Sequence, residues 1–299
     1  MKVSNDPTRR PARPHHLLFP LLAAALVLAW SSGFVGVRFA AAQAPVFTVL
    51  FWRSFVSGLA LLPFAVTLGP PITPRAVAEQ AGFGVLGMFV YLAGFALAIG
   101  DGVPTGLVAL IADMMPMAIA ALSLPVLGQG LRVRQWLGMG LGLAGVVLVS
   151  ADTMQMGSAP LYAYVLPFLG MISFAYASLL QKKRPGVALT VIQRMCLQCL
   201  TAAALFALSA QGHLTPPLTV SFAFGIGWLV LFATFGGYGT YYLCLRLYSP
   251  AKVSAVLLLS PPVTMLWAWA MFAEPLSHLM LIGLVITLAG VWMASAQAQ

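Results

Sequence analysis

The stretch PTGLVALIADMMPMAIAALSLPVLGQGLRVRQWLGMGLGLAGVVLVSA at residues 104 to 151 recurs, without a gap, as SPAKVSAVLLLSPPVTMLWAWAMFAEPLSHLMLIGLVITLAGVWMASA at residues 249 to 296. The displacement, 249 − 104 = 145 positions, pairs Val108 with Val253, Pro116 with Pro261, Leu131 with Leu276 and Gly138 with Gly283. Leu143, Ala144, Gly145 and Val146 meet Leu288, Ala289, Gly290 and Val291. Each copy is two long apolar runs, with a proline in the first and glycines in the second. A duplicated pair of membrane helices is the simplest chain that reads this way.

Composition supports the bilayer. Of the 299 residues, 61% are hydrophobic and 7% charged, against roughly 25% charged in soluble domains. Several runs exceed the ~18 apolar residues that cross a membrane, so the fold class is an all-α polytopic membrane protein. The net charge of +9 does not signal nucleic acid, which would need a basic patch on a folded face. The Lys and Arg residues sit instead in short loops between apolar runs, where they set orientation. Cys196, Cys199 and Cys244 all lie in apolar runs. They form no disulfide framework, and the Cys196-x-x-Cys199 pair has no histidine nearby to complete a metal site. No metal and no cofactor is expected.

Residues 1 to 16 form a basic, proline-rich cytoplasmic tail. The run from 17 to 42 is longer than the roughly 7 to 15 apolar residues of a signal peptide, so it is read as an uncleaved first helix. Nine more runs follow, at about 45–68, 79–99, 103–127, 134–151, 160–180, 188–209, 221–246, 251–273 and 278–296. That makes ten helices. With the amino terminus inside, Arg75, Arg132, Arg134, Lys182, Lys183, Arg184, Arg246 and Lys252 all fall on the cytoplasmic side and Arg38 alone opposes them. Both termini are then cytoplasmic. Residues 17–151 and 152–299 are two five-helix repeats, and an odd number of helices per repeat inverts the second against the first. Inverted repeats enclose a substrate site near the midplane and work by alternating access.

Ser249-Pro250-Ala251-Lys252-Val253-Ser254-Ala255, followed by Ser260-Pro261, by Phe272-Ala273-Glu274-Pro275-Leu276 and by Leu288-Ala289-Gly290-Val291, resembles the signature half of the EamA-type family in the drug/metabolite transporter superfamily. The first half resembles it too, from Ala29-Trp30 through Pro45 and Arg53 to Leu143-Ala144-Gly145-Val146. The resemblance implies a ten-helix inverted-repeat exporter of small metabolites or amino acids. Within the family it is most similar to the bacterial aromatic amino-acid exporters. Two departures stand out: Gln129 occupies the place of the glutamate found at Glu274, and Arg38 replaces a frequent lysine.

Candidate residues follow from depth and chemistry. Pro116 and Pro261 are expected mid-helix, where proline removes a hydrogen bond and kinks the helix; the freed carbonyls need protein or a water-filled cavity. Asp113 lies about 15 Å along its helix and Arg53 about 12 Å along the second, at 1.5 Å per residue. An ionisable group at that depth is a functional hypothesis. For Asp113 it is a proton-coupling acid or a partner for a substrate ammonium, set against a protonated or ion-paired structural aspartate; for Arg53 it is a contact for a substrate carboxylate, set against snorkelling to the headgroups. Arg53 is also the candidate partner of Asp113. Trp30, Tyr91, Tyr176, Tyr238 and Trp267 lie further in, on helices that the family resemblance places around a cavity, where they would suit a ring substrate, set against lipid-facing or packing roles. Gly138 and Gly142 form a small-xxx-small pair for helix packing, and a homodimer through them is an alternative to a monomer.

The expected function is secondary export of small amphipathic metabolites, foremost amino acids with aromatic ones favoured. The alternative is a broad multidrug exporter of apolar cations. An enzyme is not expected, because clustered His, Asp, Glu or Cys groups are missing at depth. The partners are a small-molecule substrate and the lipid bilayer.

Overall fold

The computed structural model describes residues 18–128, 132–156, 159–183, 189–247, 256–257 and 259–295. The basic tail, Gln129, Leu131, Arg184, Leu258 and the stretch 248–255 with Lys252 lie outside the described residues. Among those described, every regular element is a helix. Seven stretches are long and apolar enough to cross a membrane: Leu18–Ala41, Val46–Thr67, Pro74–Gly100, Thr105–Leu127, Leu161–Gln181, Val191–Ser209 and Val220–Tyr241. The shorter apolar helices Val133–Val149 and His278–Met293, with Ser260–Phe272, complete a set of ten spans, named first to tenth in chain order.

The third span begins at Pro74, five residues before the apolar run suggested. Thr73 supplies the reason: its hydroxyl accepts from the Ala76 N–H at 3.2 Å, and Pro74 occupies the first turn, where its missing N–H is no loss. The polar turn that follows is held by Arg75 and Glu79, 3.2 Å apart. The seventh span starts the same way, with Thr190 and Gln193 forming a reciprocal capping box.

The prolines act more strongly than a kink. The fourth span stops at Ala112, turns through Asp113 and Met114, and restarts as Met115–Leu127. Pro116 sits in the first turn of that second piece, because its ring clashes with the carbonyl four residues back and it has no N–H to give. Its repeat mate Pro261 likewise opens Ser260–Phe272. Both sites are therefore helix starts, where the sequence led us to expect mid-helix bends. Each of these half-helices also ends in a left-handed residue, Gly128 at φ 72° and its mate Ala273 at φ 53°.

Pairing of the spans exchanges the two halves. The fifth packs on the tenth and the second on the seventh, each against its own repeat mate. The first packs on the eighth as the sixth packs on the third, and the first touches the ninth as the sixth touches the fourth. The fifth and tenth spans approach through glycine. A Cβ on Gly290 would fall 2.6 Å from the Gly138 carbonyl oxygen and from the Gly142 Cα, and one on Gly145 would fall 2.6 Å from the Gly283 carbonyl oxygen. The glycine pair read as a possible dimer surface is thus covered within the chain by its own repeat mate.

Candidate substrate cavity

The first, second, third and eighth spans leave a cavity of about 50 Å³. Its principal walls are Trp30, Phe34, Arg53, Tyr91, Phe95 and Tyr238. Trp30 and Phe34 stand four residues apart on one face of the first span, as Tyr91 and Phe95 do on the third. The rings meet edge to face: Trp30 and Tyr238 at 5.5 Å, Tyr91 and Phe95 at 4.7 Å, Phe34 and Phe95 at 6.0 Å. Such pairs hold ring orientation as well as area.

Two stretches of π-helix aim the tyrosines. Val85–Val90 runs directly into Tyr91, and Leu229–Tyr238 ends on Tyr238. A wider turn offsets the side chains beyond it from the regular α progression. In the eighth span the Thr234 hydroxyl donates to the Leu229 carbonyl five residues back at 3.0 Å, which ties the wide turn shut.

Arg53 is the polar centre. It is 7% exposed, so its guanidinium stays inside the bundle and does not reach for the headgroups. It lines the main cavity and also a smaller recess with Ser54, Ser57, Cys199 and Thr234. The Ser57 hydroxyl in that recess is buried without a hydrogen-bond partner. Among the described residues Arg53 makes no ion pair, the one present being Arg75 with Glu79. Asp113 is therefore not its partner. Asp113 is buried, at 8% exposure, in the break of the fourth span, outside the cavity wall.

Two of the aromatic candidates fall elsewhere. Tyr176 is 40% exposed on the outside of the sixth span, since the face of that helix that meets the third span carries Gly170. Trp267 leaves the cavity to pack against Trp228, with centroids 5.8 Å apart. Trp30, Arg53, Tyr91 and Tyr238 do converge. Phe34, Phe95 and the small polar recess were missed as site residues, although Phe34 and Phe95 are one helical turn from Trp30 and Tyr91, and that spacing was the available signal.

At one end of the bundle the halves are tied by Glu274. Its two carboxylate oxygens accept from the Thr105 N–H at 2.9 Å and the Thr105 hydroxyl at 2.7 Å, capping the half-helix Thr105–Ala112. A carboxylate at a helix N-terminus meets the positive end of the dipole. The left-handed turn at Ala273 directs it there, with the Glu274 N–H returning to the Ala268 carbonyl. Within the first half, Arg38 ties the first span to the third by donating to the Ile99 carbonyl at 3.3 Å. Glu274→Ala is expected to lower stability by about 1–2 kcal/mol, and Glu274→Gln by less, read as thermal unfolding in detergent. An unchanged midpoint for Glu274→Ala would remove the cap from the account.

A family model described as the EamA-like transporter family matches residues 18–151 and 161–296. The chain belongs to this family. It is thereby a membrane transporter of the EamA type. It is 25% identical over 269 residues to the uncharacterized inner membrane transporter YedA of Escherichia coli, spanning 88% of this chain and 86% of YedA. It is 24% identical over 281 residues to a probable amino-acid metabolite efflux pump of Salmonella typhimurium, spanning 91% of this chain and 92% of that protein. A crystal structure at 21% identity superimposes with a TM-score of 0.62 over 94% of this chain and 98% of its own, which shows a shared fold.

Proposed function

We propose that this EamA-family protein exports amino acids with large apolar or aromatic side chains across the inner membrane by alternating access. The observation that carries the reading is Arg53, a buried guanidinium without an ionic partner among the described residues, set in a ring of aromatic side chains. A guanidinium offers a fork of donors matched to a carboxylate, and the rings suit an apolar side chain. The relatives named as amino-acid metabolite efflux pumps support the same substrate class. The multidrug alternative is disfavoured by the same residue, since a buried positive charge repels an apolar cation. In this reading the two repeats are inverted, both termini are cytoplasmic, and one half rocks against the other about the site. The present cavity of about 50 Å³ has room for a few waters, so admitting an amino acid requires the walls to part.

Proteoliposomes of the purified protein should take up radiolabelled phenylalanine and tryptophan well above threonine. Uptake of cationic dyes with no uptake of any amino acid would overturn the reading in favour of the multidrug alternative.

A further inference from the structure

The fourth span holds a carboxylate that the cavity does not use. Asp113 follows the last residue of Thr105–Ala112 and stands at the gap before Met115–Leu127. Its side chain is buried, and the Oδ2 atom has no hydrogen-bond partner. No lysine or arginine pairs with it among the described residues. The backbone beside it is open as well. The Met114 N–H turns to the Ile111 carbonyl at 3.1 Å, leaving the Leu110 carbonyl, and proline at 116 has no N–H for the Ala112 carbonyl.

The location is hostile to a negative charge. Asp113 stands at the carboxyl end of the half-helix Thr105–Ala112, where the dipole is negative. The elements packed on this half-helix do not compensate. The first span brings Arg38, which donates to Ile99; the fifth brings Arg134, which lies over the Trp292 ring at 5.5 Å; the third brings Tyr91; the sixth brings Tyr164, whose hydroxyl is buried and unpartnered. The ninth brings no titratable group within Ser260–Phe272, and Glu274 just beyond it is engaged by Thr105 at the opposite end of the half-helix. An isolated buried carboxylate is costly enough that it takes up a neutralising partner from solution. A proton is the partner this site accepts, because it neutralises the buried carboxylate without needing further ligands. A metal ion would find one carboxylate, and no group of three or more His, Cys, Asp or Glu side chains occurs among the described residues.

We propose that Asp113 is a proton-carrying site of the transport cycle, separate from the substrate cavity, with the break in the fourth span as the element that exposes it to water. Loading moves one proton from hydronium in one aqueous phase onto the carboxylate, and unloading returns it to water in the other. On loading an O–H bond of hydronium breaks as the carboxyl O–H forms, and on unloading the carboxyl O–H breaks as water is protonated to hydronium. Export of substrate is thereby coupled to inward movement of a proton, a coupling that rests on the export reading above.

The test is Asp113→Asn in proteoliposomes, with infrared difference spectra of both proteins. Wild type should accumulate phenylalanine against its gradient when a pH gradient is imposed. The variant should keep exchange of labelled for unlabelled phenylalanine at the wild-type rate while its gradient-driven accumulation falls to that of empty vesicles. The wild-type spectrum at neutral pH should show a protonated-carboxyl stretch that shifts in heavy water and is absent from the variant. A wild type without that band, a variant that still accumulates substrate, or accumulation driven by sodium in place of protons would each overturn the proposal. Loss of exchange in a folded variant would make Asp113 structural and also overturn it. Should the wild type move no amino acid at all, the infrared band still decides Asp113, so failure of the export reading and failure of the proton site remain separate.

Discussion

Gly290→Leu is expected to prevent stable assembly of the bundle, and Gly290→Ala already to destabilise it. A Cβ at this position would lie 2.6 Å from the Gly138 carbonyl oxygen and from the Gly142 Cα. Both neighbours are backbone, so no rotamer change makes room and the fifth and tenth spans must move apart. Overpacking a soluble core costs about 1–3 kcal/mol where side chains can adjust; here the whole helix pair has to yield, and the cost should reach or exceed the upper end of that range. Within a bilayer this is severe, because helix association there depends on close packing with no hydrophobic drive between helices. Gly140→Ala in the fifth span is the control. Its Cβ would meet nothing within 4 Å, and helical alanine should gain about 0.5–1 kcal/mol over glycine. Monodisperse yield and thermal midpoint in detergent would measure both. A Gly290→Leu protein with a wild-type midpoint would show that the glycine seam does not hold the repeats together.

Arg53→Gln is expected to act in the opposite sense, harming transport and sparing the fold. Charge-assisted hydrogen bonds contribute about 1.5–3 kcal/mol, so loss of the carboxylate contact should raise the apparent KM for phenylalanine by roughly 10- to 150-fold at about 1.4 kcal/mol per decade. Arg53→Lys should fall between, since it keeps the charge and loses the two-pronged geometry. Stability should stay level or rise, because a buried cation without an ionic partner is a cost that the bundle no longer carries. Substrate-dependent thermal stabilisation and uptake kinetics would read the two effects on one preparation. A Gln variant that unfolds while retaining wild-type KM would assign Arg53 to structure.

The candidate site was legible in part, and for one reason. Position along a membrane helix converts to depth at about 1.5 Å per residue, so Arg53, Asp113, Trp30, Tyr91 and Tyr238 could be placed well inside the membrane from sequence. Direction around the helix could not be read in the same way. A helix that is apolar on every side has no polar face to mark its buried one, and Tyr176 and Trp267 were assigned to the cavity on depth and on the helices that the family resemblance places around it. Their rings point elsewhere. The same limit applied to Asp113 and Arg53, which lie at similar depth although only Arg53 lines the cavity. Wide turns deepen the problem, because Val85–Val90 and Leu229–Tyr238 reset the angular position of everything after them without any marker in composition.

Sequence by itself determined the membrane class, the two halves related by 145 positions and the ten spans, since hydropathy and self-similarity are properties of the chain read along its length. It also located the prolines of the fourth and ninth spans, because a missing N–H is a covalent fact. Only the tertiary structure decided that those prolines begin half-helices and that Glu274 reaches across to cap Thr105. It likewise decided that the cavity takes three walls from the first half and one from the second. These depend on which helix faces meet, and in a bilayer that is chosen by the fit of side chains and glycines between neighbours rather than by the solvent preference of any one face.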